Sequence, residues 1–204
     1  MKAGTSHILP IRMAIFASGG GSNARAICRY FAQNERIKVS LLLSNRESSG
    51  VFELGESYSI PALLLSKDQV KDGAYLLSQM QAHQIDLIVL AGYLKHVPDP
   101  LVNAFPHRMV NIHPSLLPAY GGKGMYGIKV HEAVIKHKET LSGLTIHYVN
   151  EVYDQGEIIF QAHQAVDPNW KAADLQQAIL KLEHTYYPQV IQTICESLAS
   201  KKVE

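Results

Sequence analysis

The sequence predicts an α/β fold: a mostly parallel twisted sheet with helices on both faces, antiparallel strands added near the C-terminal part, and a long C-terminal helix. Three observations predict it. Short apolar runs alternate with helical patterns through the first two thirds of the chain, as strands and crossover helices of a parallel sheet do. One run, Leu87-Ile88-Val89-Leu90, is apolar at every position, which suits a strand buried on both faces. After about residue 140 the pattern changes to two weakly alternating runs and one long helical stretch.

In order, Met13–Ala17, Val39–Leu43, Ala62–Leu65, Leu87–Leu90 and Met109–Ile112 read as strands. Residues 23–33, 50–58, 70–83 and 127–138 read as the helices between and after them. Leu144–Asn150 and Glu157–Val166 flank the break Asp154-Gln155-Gly156 and read as an antiparallel pair added to the sheet. The last helix is expected from Ala172 to Leu198, bent at Pro188, where an intrahelical donor is missing. Residues 1–11 lack the apolar core of a signal peptide and read as an N-terminal extension to a single domain over 12–200.

Of the 204 residues, 47% are hydrophobic and 18% charged, which is ordinary for one globular domain with a sizeable core. The net charge of +1 calls for neither nucleic acid nor an anionic membrane as partner. No apolar run is long enough to span a bilayer. Cys28 and Cys195 lie far apart within apolar helical patterns, so they read as buried free thiols in a reducing compartment, and the cytoplasm is the expected location.

Asn111-Ile112-His113-Pro114-Ser115-Leu116-Leu117-Pro118 is the most informative stretch. Asn111 and His113 are two residues apart and share one face of a strand, while Ile112 points the other way. Pro114 ends the strand, because it has no N–H for the ladder and restricts its predecessor. An amide and an imidazole side by side at a strand end suit a carbonyl oxygen that becomes an oxyanion, since Asn111 can donate without a charge and protonated His113 with one. Two hydrogen-bonded polar residues at a strand end are the plainer reading.

Ser18-Gly19-Gly20-Gly21-Ser22-Asn23-Ala24 follows the first strand and opens the first helix. The glycines permit close backbone approach, Ser22 or Asn23 can cap the helix, and its free N–H groups and dipole favour a phosphate. The same residues fit G-x-G-x-x-A, so a dinucleotide stays open. The second strand ends Ser44-Asn45-Arg46 without the acid a ribose would need, though Arg46 could serve a 2′-phosphate. No Gly-Lys-Ser/Thr follows the glycines, so Walker A is absent. Asp154, in Tyr153-Asp154-Gln155-Gly156, reads by itself as turn chemistry; beside an imidazole it would raise that ring's pKa and fix its tautomer.

Together these motifs resemble the phosphoribosylglycinamide formyltransferases, a folate-dependent family. The resemblance rests on Ala17–Asn23, Leu90-Ala91-Gly92-Tyr93, Asn111–Pro118, His147-Tyr148-Val149, Asp154-Gln155-Gly156 with Ile158–Gln161, and Glu183-His184 with Tyr187-Pro188. It implies a Rossmann-like formyltransferase fold and the transfer of a formyl group from 10-formyltetrahydrofolate to the amine of glycinamide ribonucleotide in purine synthesis. It implies Asn111, His113 and Asp154 as catalytic residues, Gly21, Ser22 and Asn23 at the phosphate, and Glu183 near the ribose and amine. Leu94, Lys95, His96 and Val97, with Asn111, would hold the folate, under a loop from Glu151 to Gly156. Lys67 or Lys71 would meet its glutamate tail. No metal is needed, and Asp154 would keep His113 charged.

Some positions depart from the family pattern. Lys95-His96 stands where Arg and an apolar residue are common, and Leu144 where a small polar residue is common. The stretch from Ala119 to Lys129 is a few residues longer, and its glycines suggest a cover over the site. A tRNA formyltransferase would need an added basic module, and a formyltetrahydrofolate hydrolase usually has an N-terminal regulatory domain. A sugar-amine formyltransferase would not require the Gly-Ser-Asn loop. A non-catalytic folate or nucleotide binder would not need Asn111, His113 and Asp154 together. Monomer and homodimer both remain open.

Overall fold

The computed structural model describes residues 9–202, so most of the expected N-terminal extension lies outside the described residues, and Ile11 already pairs in the first strand. β1 (Ile11–Phe16), β2 (Ile37–Ser44), β3 (Ala62–Leu64), β4 (Leu87–Leu90) and β5 (Met109–His113) are the parallel strands of one seven-stranded sheet. β6 (Leu141–Tyr148) and β7 (Ile158–Ala165) are added antiparallel, in the order β3-β2-β1-β4-β5-β6-β7.

Alternation along the strands sends side chains into two cores. Met13, Ile15, Leu42, Val89, Val110 and Ile112 pack with α1 (Ser22–Phe31), α2 (Val51–Tyr58), α5 (Ile128–Lys136) and α6 (Ala172–Lys201). Ala14, Phe16, Leu41, Leu43, Ile88 and Leu90 pack on the opposite face with α3 (Gly73–Ala82) and α4 (Asp99–Ala104). Burial on both faces explains the uninterrupted apolar run of β4. Both cysteines are free and buried, and no helix among the described residues is long and apolar enough to cross a membrane.

Two expectations need correction. α4 is a helix not foreseen; its six residues, with Pro98 before it and Pro100 inside its first turn, are too few to show a period. α6 runs through the buried Pro188 as one helix and ends at Lys201, three residues beyond the expected Leu198. Packing along a long amphipathic face outweighs one missing donor. Leu144, at a position where the family pattern has a small polar residue, is fully buried in the core.

From β1 the chain winds outward to β3, then crosses back to β4 on the other side of β1. Such a switch opens a crevice beyond the carboxyl ends of the two strands. The loop after β1 and the end of β5 both face it.

Candidate active site

A cleft of about 760 Å³ lies there. Gly19–Asn23, Leu94–Val97, Asn111, His113, His131, His147, Asp154 and Glu183 all contribute to its wall. Lys67 and Lys71 do not line it, and both are exposed. Arg46 is also exposed and outside the lining, which removes the contact a dinucleotide's 2′-phosphate would need.

At one end, α1 starts without a side-chain cap. Its N-cap is Gly21, in a left-handed conformation with φ of 73°, and not Ser22 or Asn23. A Cβ at Gly21 would be strained by that φ and would stand 3.4 Å from Gly50. Asn23 is the second helical residue and not the cap, and its amide donates to the Glu183 carboxylate at 2.6 Å. The first-turn N–H groups therefore face the cleft with no acidic residue in that turn to compete for them. Gly50 supports this loop from behind, since a Cβ there would come within 2.2 Å of the Gly20 carbonyl oxygen. Burial pushes the Glu183 carboxyl up to about 7, against the lowering effect of the Asn23 bond.

Ser18 ties this loop to the next wall. Its buried hydroxyl donates to Asn45 Oδ1 at 2.6 Å and accepts the Leu94 N–H at 3.0 Å. Residues 94–97 then face the turn that follows β6, with the His96 and Tyr153 rings edge to face at 5.1 Å. Leu90, Val97, Val149 and Val152 make this part of the wall apolar.

The other end of the cleft is built on β5. Asn111 sits opposite His147 of β6, and Asn111 Nδ2 lies 3.1 Å from His147 Nε2. His147 Nδ1 lies 2.8 Å from the Tyr148 carbonyl, which can only accept, so Nδ1 carries the proton and Nε2 is the acceptor. That tautomer fixes which way the Asn111 amide points and leaves its second N–H for the cleft. His147 had no role in the sequence reading. Its place at an alternating position of a strand, two residues from Thr145, and its membership of the His147-Tyr148-Val149 motif were the available signals.

His113 is 4% exposed. Its Nε2 is 2.8 Å from the Tyr120 carbonyl and so donates to it; its Nδ1 faces Asp154 Oδ2 at 3.5 Å. Asp154 Oδ1 lies 3.7 Å from His147 Nε2, and Oδ2 accepts the Gly122 N–H at 2.8 Å. β6 runs away from the end of β5 that carries His113, so the turn after β6 must double back for Asp154 to reach the ring. Asp154 does so with φ of 56°, a left-handed conformation that Asp tolerates better than most residues.

The charge expected on His113 is a further correction. Burial lowers the pKa of the ring; Asp154 and the Tyr120 carbonyl raise it, His147 lowers it, and the sum is below the ordinary value. The carboxyl of Asp154 is also lowered: burial pushes it up, and His147, His113 and the Gly122 N–H together pull it down further. With Nε2–H committed to Tyr120, the Nδ1 of His113 is the working nitrogen. It can take a proton from the cleft and share it with Asp154. His131, 2% exposed and on α5, completes this end; burial first and His113 second bring it down to about 4, so it is neutral, and its Nδ1 has no partner.

Residues 11–191 match the family described as Formyl transferase. The chain is 44% identical over 193 residues to the chloroplastic phosphoribosylglycinamide formyltransferase of Arabidopsis thaliana, covering 91% of this chain and 65% of that protein. It is 35% identical over 188 residues to the phosphoribosylglycinamide formyltransferase of Bacillus subtilis, covering 90% of this chain and 94% of that one. The crystal structure of glycinamide ribonucleotide transformylase 1 from Symbiobacterium toebii superposes with a TM-score of 0.85 at 31% identity, covering 94% of this chain and 90% of that one. The chain thus spans a little under two thirds of the length of the Arabidopsis relative.

Proposed function

We propose that this chain, which belongs to the formyl transferase family and within it to the phosphoribosylglycinamide formyltransferases, transfers the formyl group of 10-formyltetrahydrofolate to the amine of glycinamide ribonucleotide. The observation that carries the reading is one cleft with an uncapped helix N-terminus at one end and Asn111, His113 and Asp154 at the other. The first suits a phosphate and the second suits a carbonyl under attack.

In this reading the phosphate rests on the N–H groups of Gly21, Ser22 and Asn23, and Glu183 takes the ribose and steers the amine. The pterin lies along Leu94–Val97 beneath the turn that carries Asp154. The neutral amine attacks the formyl carbon, and the oxyanion meets the free N–H of Asn111 and a proton that His113 Nδ1 has taken up from the cleft. Asp154 shares that proton as the amine loses one and the departing folate nitrogen gains one. Positioning and charge stabilisation are enough for this step, so no covalent enzyme intermediate and no metal enter it. One domain over 12–200 is supported by the span of the family match. A cytoplasmic location is supported by two buried, unpaired cysteines.

The test is to mix the protein with glycinamide ribonucleotide and a 10-formylfolate and follow loss of the formyl group optically. Deformylation should require the ribonucleotide. Equal loss without it would make the chain a hydrolase, and no loss in either case would make it a binder.

A further inference from the structure

The segment that follows Pro118 grips both members of the reacting pair with opposite polarity. The Tyr120 carbonyl accepts from His113 Nε2 at 2.8 Å, and two residues on, the Gly122 N–H donates to Asp154 Oδ2 at 2.8 Å. A carbonyl on the ring that gains a proton and an amide on the carboxylate is the arrangement that favours separated charge. Tyr120 holds this place in a left-handed conformation, φ of 57°, which a side chain other than glycine adopts only when its surroundings impose it.

What imposes it is the far end of its own side chain. The Tyr120 hydroxyl donates to Glu139 Oε1 at 2.7 Å and lies 3.0 Å from His137 Nδ1, and the Tyr120 and His137 rings lie tilted by 34° with centroids 5.7 Å apart. Those partners are themselves fixed. Lys138 N–H bonds the Ile135 carbonyl and Glu139 N–H the Val134 carbonyl, with Lys138 left-handed, so α5 ends in a Schellman motif that presents Glu139. Tyr120 does not line the cleft and can act only through His113.

We propose that Tyr120 is a positioning residue: its phenol, held by Glu139 and His137 at the end of α5, fixes the carbonyl that turns His113 Nδ1 toward Asp154 and the cleft. This rests on the role given to His113 above. The groups facing His113 are Asp154, His147, His131 and the Tyr120 carbonyl.

The test compares Tyr120→Phe, Glu139→Ala and Glu139→Gln with the parent, by steady-state kinetics and by NMR titration of the His113 ring. Tyr120→Phe keeps the ring and the backbone and loses only the hydroxyl. Glu139 is exposed, so Glu139→Ala removes the anchor without disturbing the core. Both should lower kcat about tenfold, as loosening a reacting group does, with the ribonucleotide KM within about twofold of the parent. Both should also move the His113 titration to lower pH, while Glu139→Gln, which keeps an acceptor, should restore both readouts. A loss of melting temperature alone, with kcat and the His113 titration unchanged in both Tyr120→Phe and Glu139→Ala, would overturn the proposal. If Tyr120→Phe does not fold, Glu139→Ala decides. The titration needs no substrate, so failure of the transfer assay would sink the proposed reaction without touching this result.

Discussion

Asn23 and Glu183, 160 positions apart in the chain, meet through a 2.6 Å hydrogen bond in a buried site. The bond joins the first turn of α1 to the middle of α6 at the edge of the cleft. Nothing else buried beside Glu183 compensates a full charge, so the carboxyl is pushed up from 4.5 to about 7.

The first prediction follows from that shift. A folded pKa above the unfolded one means that the carboxyl stabilises the fold fully below pH 4.5 and loses that contribution as pH rises toward 7. The difference corresponds to about 3 kcal/mol. Glu183→Gln carries no such dependence. Its stability to urea at pH 8 should exceed the parent's by up to that amount, while its ribonucleotide KM rises. A parent stability that stays flat from pH 5 to 8 would count against the buried-carboxyl account.

His113→Ala removes the proton site beside the oxyanion. Turnover should fall roughly a hundredfold or more, about 3 kcal/mol of barrier. Ribonucleotide binding, measured by calorimetry, should persist, because the phosphate loop lies at the other end of the cleft. Turnover near the parent rate would remove His113 from the reaction.

Asp154→Asn nearly preserves shape and removes the charge 3.5 Å from His113 Nδ1. Burial already lowers the pKa of that ring, and the Asp154 carboxylate is the leading influence opposing it. Without it the His113 titration should move lower still, and activity at pH 7 should fall steeply. The ratio of variant to parent activity should then rise as the pH falls. An unchanged His113 midpoint by NMR would confine Asp154 to proton transfer or loop positioning.

Gly21→Val places a branched side chain at a φ of 73° and 3.4 Å from Gly50. The ribonucleotide KM should rise far more than the folate KM. Parallel increases in both would indicate a general disturbance of the fold instead of a local anion site.

Much of this site could be read from the chain before any coordinates. Asn111 and His113 declare themselves because a strand's period of two puts them on one face and Pro114 stops the strand beside them. Gly21 is legible because a strand-to-helix turn demands its conformational freedom. The rest depends on pairings that no local pattern encodes. His147 comes opposite Asn111 only through the β5–β6 register. The Asn23 amide is claimed by Glu183, far along the chain. The grip on His113 by Tyr120 is made by a backbone carbonyl, which every residue has and no sequence marks. The lowered pKa of His113 reflects burial, a property of the assembled fold and not of its neighbours in sequence.

The order of the strands has a further consequence. The groups proposed to hold the phosphate hang from β1 and rest on Gly50 before α2, on one side of the sheet's switch point. The groups proposed to act on the formyl carbon hang from β5 and from the turn between β6 and β7, on the other side. Choice of acceptor and formyl chemistry are therefore mechanically separable. An engineer wishing to redirect the transfer to another amine would graft a new first strand–loop–helix segment and leave β5 to β7 untouched. The seams to be re-cut include the bond between Asn23 and Glu183 and the hydrogen bonds of Ser18 to Asn45 and Leu94.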